Sequence, residues 1–382
     1  MSSKLLVILG ILFLIHDSYA QITGDPLSQL EDIAEKISDK YNFSYKNLPN
    51  MGTIPKSTLT REDVIKYINQ QIKRGMQINI AADLGNNLAG IDLSNLDFKN
   101  ADMSNITMVG ANLSWTSFVN AHLENSDLRN VIAVNANFSG SNISGSAFDG
   151  ANLQYGKFVR TYGNDTSFQK ANMESVTIVD ASFQEVDFSK ANFNNGRMKH
   201  SRFDGSNFSD STAINVHMHS SKLSHVNAPN INWSDSDLNN IECNNSNFAN
   251  ANLTNVNFFA AKANKTNFDG ATMKSIYADG VDFSESSFHG ADLSSSVISS
   301  ASVQRSNLTY ANLSRCILND LNASNGDLTN SKLNFSVMKN TILINTKLDG
   351  VTAEALFLEA DKIYGTDFSK AKIEKSVILV KE

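Results

Sequence analysis

The sequence predicts an all-β solenoid, with short strands separated by sharp corners and wound into a long coil, preceded by a small helical region. Three observations carry this prediction. Every fifth position from Leu88 to Ile378 is a site for a large apolar residue, and 50 of these 59 positions hold Leu, Phe, Met, Ile, Val or Trp. Two residues before each large residue a smaller one recurs, as at Ala101, Ala111, Ala121, Ser126, Ala151, Ala171, Ala191, Ser246, Ala291 and Ala311. Two residues after it, Gly or Asn stands in about half of the repeats, for example Gly110, Asn130, Gly150 and Asn250.

These preferences describe one physical unit. In extended chain, side chains two apart point the same way. The small and large residues of a repeat therefore face inward together, and the Asn, Asp, Ser or Thr on either side of the large one face water. The Gly/Asn position suits a corner with unusual backbone dihedrals. An α-helical stripe is excluded, because a period of five drifts away from 3.6 within two repeats. The nine exceptions at the large position are Ala133, Gly163, Ala213, Ala228, Cys243, Ala263, Ala278, Ala323 and Ala353, and no insertion breaks the register. A length of 382 residues would suffice for two or three ordinary domains. Such a uniform period, with only 4 Pro and as many as 22 Phe, argues for one repeat array instead.

Three segments follow in chain order: 1–20, 21–80 and 81–382. The first reads as a signal peptide. Lys4 supplies a positive start, Leu5 to Ile15 is an apolar run, and Ser18-Tyr19-Ala20 is a small-x-small cleavage site. The run is shorter than the roughly 20 residues that span a bilayer. Export to the periplasm or the medium is expected, with no transmembrane segment after the leader. The second segment reads as two helices. Pro26 starts one, with Leu27, Leu30, Ile33, Ala34 and Ile37 on one face. A loop holding Pro49, Gly52 and Pro55 follows. Thr60 caps the second helix with Asp63 in a capping-box position, Val64, Ile65, Ile68 and Ile72 form its apolar face, and Gly75 stops it. These helices are expected to lie over the first turn of the coil.

In the third segment, Ala111-Asn112-Leu113-Ser114, Ala151-Asn152-Leu153, Ala251-Asn252-Leu253-Thr254 and Ala311-Asn312-Leu313-Ser314 resemble the A(D/N)LxX consensus of the pentapeptide-repeat family. The resemblance covers roughly residues 84–378. It implies a right-handed quadrilateral parallel β-helix with four repeats per coil, about 15 coils and, at about 4.8 Å per coil, a length of roughly 70 Å. Leu356 and Asp361 stand where small residues belong, so a bulge or a helical insertion is expected in the last coils.

Residues 20 apart then lie one above another, and the surface can be read from the sequence. Cys243 is a large-position residue and Cys316 a small-position one, so both point inward, on different faces and on the order of 18 Å apart. A disulfide needs Cα atoms within about 7 Å, so two buried free thiols are expected. On the outside, Tyr277, Val297, Ile317, Val337, Phe357 and Val377 recur at intervals of 20, whereas the same column is polar from Asp97 to Asn257. An exposed apolar stripe marks an interface. Three occupants fit it: a second copy, giving a homodimer through the C-terminal coils as some relatives of the resembled family form; the protein's own C-terminal tail or a segment near 355; or another partner, protein or membrane.

A second cluster is basic: Arg197, Lys199, His200, Arg202, His217, His219, Lys222 and His225, set against a net charge of −7. It reads either as an ordinary solvated face or as a site for an anionic ligand that strengthens as the histidines protonate. A metal there is disfavoured by Arg197 and Lys199. The modest negative charge also disfavours nucleic acid as a partner.

No nucleophile–base triad context, P-loop or dinucleotide turn stands in the sequence, so neither catalysis nor a cofactor is expected. Asn42-Phe-Ser44, Asn112-Leu-Ser114, Asn252-Leu-Thr254 and Asn312-Leu-Ser314 are glycosylation sequons that the repeat largely generates by itself. The expected function is an exported, non-catalytic scaffold, structural or protein-binding. The alternatives are a secreted effector acting in another cell and a DNA-mimicking inhibitor of an enzyme such as gyrase, the latter disfavoured by the leader.

Overall fold

The computed structural model describes residues 57–380. The leader, the helix expected from Pro26 and the loop around Pro49 and Pro55 lie outside the described residues.

Helix α1 (Arg61–Arg74) begins where the capping box predicts. The Thr60 hydroxyl accepts from the Asp63 N–H at 3.2 Å, and the Asp63 carboxylate accepts from the Thr60 N–H at 2.9 Å. Gly75, at φ 63°, ends it in the left-handed conformation. The buried face is Val64, Tyr67, Ile68 and Gln71, not the predicted Val64-Ile65-Ile68-Ile72 stripe; Ile72 is 64% exposed. A polar anchor explains the rotation. The Tyr67 hydroxyl donates to Asp83 Oδ2 at 2.6 Å and accepts from the Asn79 N–H at 2.8 Å, which turns the aromatic ring, rather than Ile72, toward the first coil. Burial, with the neighbouring Asp83, pushes that phenol up to about 12. The Arg61 guanidinium ties the helix down further by donating to the backbone carbonyls of Asp92 and Ser94. A single turn, α2 (Ile80–Asp83), capped by Asn79, leads into the coil.

From Asn87 the chain repeats one geometry. Each residue before a large apolar one forms a parallel bridge with the residue 20 further on, from Asn87↔Thr107 to Lys332↔Thr352. Four five-residue sides therefore close each coil of a right-handed parallel β-helix. The bonds between coils run both ways: Leu93 N–H donates to Asn112 O at 2.8 Å, and Asn112 N–H donates to Ile91 O at 3.0 Å. Large and small positions are both buried, as Leu93, Phe98, Met103 and Ala111 are at 0% exposure.

Every fifth residue from Gly90 to Ala355 has positive φ, whether it is Gly or Asn or a residue such as Trp115, Arg160, Lys190 or Phe335. For such side chains the left-handed conformation costs roughly 1–2 kcal/mol. They are held there by the bond each corner N–H gives to the next coil, for example Trp115 N–H to Val134 O at 2.9 Å.

The corners come in two forms. In the closed form the turn bonds to itself, as Ala111 N–H to Met108 O at 2.9 Å. In the open form a Ser at the small position of the next coil enters the turn. Ser236 Oγ accepts from Val216 N–H and donates to Ala213 O, both at 3.0 Å. Ser126, Ser206 and Ser246 do the same one coil above their own turns. These buried hydroxyls are thus inter-coil fasteners with both bonds made.

Inside, phenylalanines stack in columns. Phe98, Phe118, Phe138 and Phe158 follow one another with centroids 5.0–5.5 Å apart. Phe148, Phe168, Phe188 and Phe208 form a second column at 4.8–5.3 Å. Gly163 is the gap in a large-position column that accommodates its neighbour: a Cβ built there would lie 2.4 Å from the Phe183 ring. Beyond Phe288 the core turns to Leu, Ile and Val, with internal voids of about 20 Å³.

The last coils lengthen into continuous strands. Strands β1 (Val337–Ile344), β3 (Phe357–Tyr364) and β5 (Val377–Val380) form one parallel sheet, and β2 (Thr352–Glu354) pairs with β4 (Lys372–Glu374). The irregularity expected near Leu356 and Asp361 is a bulge: Thr341 faces Ala360, and the stagger of 20 returns at Ile342↔Lys362. Among the described residues no helix interrupts these coils. Leu356 is accommodated inside, 3% exposed, while Asp361 faces solvent.

The Gly163 gap is directly testable. Gly163→Ala should lower stability to denaturant by roughly 1–3 kcal/mol, the usual cost of overpacking, and Phe183→Leu in the same chain should recover part of it. Equal midpoints for Gly163→Ala and the parent would show that the Phe183 ring does not fill that space.

Candidate functional site

The apolar column is a continuous feature of one flat side. Tyr277↔Val297, Val297↔Ile317 and Ile317↔Val337 are bridge partners, and strand pairing continues the column through Phe357 and Val377. Five inter-coil steps make it about 24 Å long. Tyr277, Ile317 and Val377 are 42–48% exposed; Val297, Val337 and Phe357 are half-buried by their neighbours in the column. The described C-terminal strands extend this face and do not fold over it. Two of its members lie outside the column, because each sits two residues beyond a column position, Asn257 or Val377. Phe259 stacks on Tyr277 at 6.1 Å with rings nearly parallel, and Leu379, 50% exposed, ends the stripe. Cations border it: Arg315 lies 5.9 Å over the Phe335 ring and Lys339 5.6 Å over that of Phe357.

In the same coils the other three sides are polar at the equivalent positions except at Ile342, which follows Asn322. Asp282, Ser302 and Asn322 occupy one, Ser287, Asn307 and Asp327 another, and Thr272, Asp292 and Asn312 the third. Coil stability therefore does not demand apolar residues here, since each of these columns makes the same backbone bridges.

The basic cluster is brought together only in part. Arg197 bridges His217 and Arg202 bridges Lys222, while the His200 and His219 rings meet edge to face at 5.3 Å. Carboxylates, however, reach three of its eight members. Arg202 lies 3.5 Å from Asp204 and Lys222 3.7 Å from Glu242. Glu242 also binds Lys262 at 2.9 Å. Outside these pairs stand Arg197, Lys199, His200 and His217 on one side, with His225 at the following corner, so the cluster is smaller than its sequence suggests. The 20-residue ruler could have exposed this, since Glu242 stands one coil above Lys222.

His219 reports the local field. Its Nδ1 is buried without a hydrogen bond and lies 3.7 Å from Asp237 Oδ2. Burial holds its imidazole below the usual value, Asp237 pulls it upward, and His200, Lys199 and His217 push it further down. Asp237 lies beyond hydrogen-bond distance, so its pull does not outweigh burial and the three neighbours.

Cys243 and Cys316 are both free and buried. Burial pushes the Cys243 thiol up to about 12 and the Cys316 thiol to about 11. Cys316 occupies a fastener position, its thiol donating to Leu293 O at 3.1 Å as the serines donate elsewhere. Aromatic residues at corners were not singled out by the sequence reading: Trp115 and Tyr155, two coils apart in one column, are 63% and 51% exposed. Among the described residues no group of His, Cys, Asp and Glu is placed to hold a metal ion, and no helix is long and apolar enough to cross a membrane.

Comparison with known proteins now adds to this geometry. A family profile described as a pentapeptide repeat region matches residues 87–158. A second, described as pentapeptide repeats in eight copies, matches residues 171–210, 181–219, 236–274 and 296–334. Among curated proteins no significant match is found. Among solved structures, the chain is similar to HetL, a pentapeptide repeat protein involved in heterocyst differentiation regulation from the cyanobacterium Nostoc sp. strain PCC 7120, with 19% identity, 69% of this chain and 94% of that one covered, and a TM-score of 0.24. It is similar to a pentapeptide repeat protein of the Arabidopsis thaliana thylakoid lumen, with 23% identity, coverage of 33% and 74%, and a TM-score of 0.22. It is also similar to full-length QnrB1, a plasmid-mediated fluoroquinolone resistance protein, with 16% identity, coverage of 65% and 92%, and a TM-score of 0.18.

The His219 environment predicts a pH effect. A histidine whose folded value is depressed adds stability above its unfolded value, about 6.5, and loses it as pH falls through the folded value. Stability should therefore begin to fall as pH drops below about 6.5, before carboxylates titrate, and His219→Gln should flatten that limb. Denaturation midpoints with the same slope in both proteins between pH 7 and pH 5 would contradict it.

Proposed function

The chain belongs to the pentapeptide-repeat family, and from that premise we propose that it is an exported, non-catalytic scaffold that binds a protein partner along the lateral face of its C-terminal coils. The observation that carries this is the change of one outward column from polar to apolar at Tyr277, while the three equivalent columns hold a single apolar residue, Ile342, over the same coils. Exposed apolar surface of this continuity is kept where it is used.

Several features support the non-catalytic reading. The voids of about 20 Å³ are lined by core side chains such as Leu293, Leu308 and Leu328, and hold no convergent polar groups. Charges on the coil surface alternate along columns, Lys222–Glu242–Lys262 and Lys265–Glu285–Arg305. A DNA mimic would need a continuous acidic track, so this alternation disfavours that alternative. Export rests on the basic start, the apolar run and Ser18-Tyr19-Ala20, and secretion toward another cell is a finer version of the same reading.

Two experiments test the proposal. Affinity capture with the full chain should retain the same partner for the parent and for Asn137→Asp, a change in the same column among the N-terminal coils, and lose it for Ile317→Asp. Identical capture by all three would reject the face as the binding surface. Cell fractionation should place the parent outside the cytosol and a chain lacking residues 1–20 inside it. Cytosolic retention of both would reject export.

A further inference from the structure

We propose that the corner bearing Trp115 and Tyr155 is a binding ridge for a neutral glycan, a β-1,4-linked chain of hexopyranose rings; this site is independent of the C-terminal face. The two aromatics stand in one corner column, with Asn135 between them. The coils stack without slip there. Trp115 N–H donates to Val134 O at 2.9 Å, Asn135 N–H to Gln154 O at 2.9 Å and Tyr155 N–H to Glu174 O at 3.0 Å. Two coil steps set the two aromatic corners about 10 Å apart. That is close to one disaccharide of a β-1,4-linked chain, in which every second ring turns the same face to the same side. The axial C–H bonds of such a ring pack on the negative face of an aromatic side chain.

Availability, strain and charge all favour that ligand. Trp115 is 63% and Tyr155 51% exposed, and among the described residues neither ring meets another ring or a cation of its own chain. Both sit at positive φ, 62° and 60°, where Gly or Asn is accommodated at less cost. The ridge is also neutral. From Asn95 to Asn215 every residue of this corner column is uncharged, whereas over the same coils the other three corners carry Arg160 and Asp180, Asp165 and Glu185, and Lys170 and Lys190. On the adjoining flat sides Lys157 and Glu174 flank Tyr155 with opposite signs, and Glu174 already takes the Gln154 amide at 3.0 Å. The corner itself thus offers a polyanion no cation. Asn135 stands at the step between the two rings, and its side-chain amide makes no hydrogen bond among the described residues. It can both donate to and accept from the hydroxyls of the sugar that lies between the stacked ones.

The test is titration calorimetry of the full chain with cellohexaose and with chitohexaose, which share the linkage and differ in the 2-substituent, and with α-1,4-linked maltohexaose as the curved control. Of the two tryptophans Trp233 is buried in the core at 1% exposure, so a change in tryptophan fluorescence on titration reports Trp115. The parent should bind at least one of the two β-linked hexasaccharides and not maltohexaose. Trp115→Asn and Tyr155→Asn should each weaken that binding about tenfold. Both variants place a favoured corner residue, so circular dichroism should show the fold intact. Tyr310→Asn, which removes an aromatic exposed at another corner, should bind as the parent does. Moving the aromatic by one coil, with Tyr155→Asn and Asn135→Tyr together, should bind no better than Tyr155→Asn alone. The site is overturned if neither β-linked hexasaccharide binds, or if maltohexaose binds equally well. Parent-like affinity in either single variant or in the shifted one, or an equal loss in Tyr310→Asn, overturns it too.

Discussion

Closure of each coil in 20 residues is the constraint on which the rest of this structure depends. It requires a left-handed corner at every fifth residue, and the chain adopts one even at Trp115, Arg160 and Phe335, where the side chain resists it. What offsets the strain is cooperative. Each corner N–H and each bridge residue bonds to a neighbouring coil, so one coil cannot relax without unpairing another. Once closure holds, residues 20 apart become neighbours. Side-chain ladders such as Asn207, Asn227 and Asn247, each amide donating to the oxygen of the coil before it, follow from that spacing.

The same closure explains how the interior adapts. A column of large residues tolerates Gly163 because Phe183, one coil on, fills the space. An open turn takes in a serine of the next coil, as Ser236 enters between Ala213 and Val216. The thiol of Cys316 fits the same slot, which accounts for a buried cysteine with no disulfide partner. Nearest-neighbour compensation of this kind is expected where each repeat touches chiefly the repeats beside it.

The five-residue period was legible in the sequence because one large residue per repeat must point inward, and the register never slips enough to hide it. The lateral ladder was legible for the same reason: Tyr277 through Val377 are spaced by one coil. Phe259 and Leu379 were not, since each joins the stripe from two residues beyond the column position. The helix face was misread because hydropathy favours Ile72, whereas the hydroxyl bonds of Tyr67 set the rotation. The basic cluster was overestimated because Asp204, Asp237 and Glu242 reach it from the next side or the next coil. Only the three-dimensional neighbours show which cations are already paired.

What the fold makes of these elements is a rod whose sides are chemically independent. Backbone bridges are identical on all four sides, so the outward residues of a column are free to change without cost to closure, and from Tyr277 onward one column has changed. Covalent footprinting of exposed side chains in the free chain and in its complex with the captured partner tests the central claim most directly. Binding along this face predicts that Tyr277, Ile317 and Phe357 lose labelling in the complex, while Trp115 and Tyr155, exposed at distant corners, label equally in both. Unchanged labelling of the ladder in the complex would contradict it.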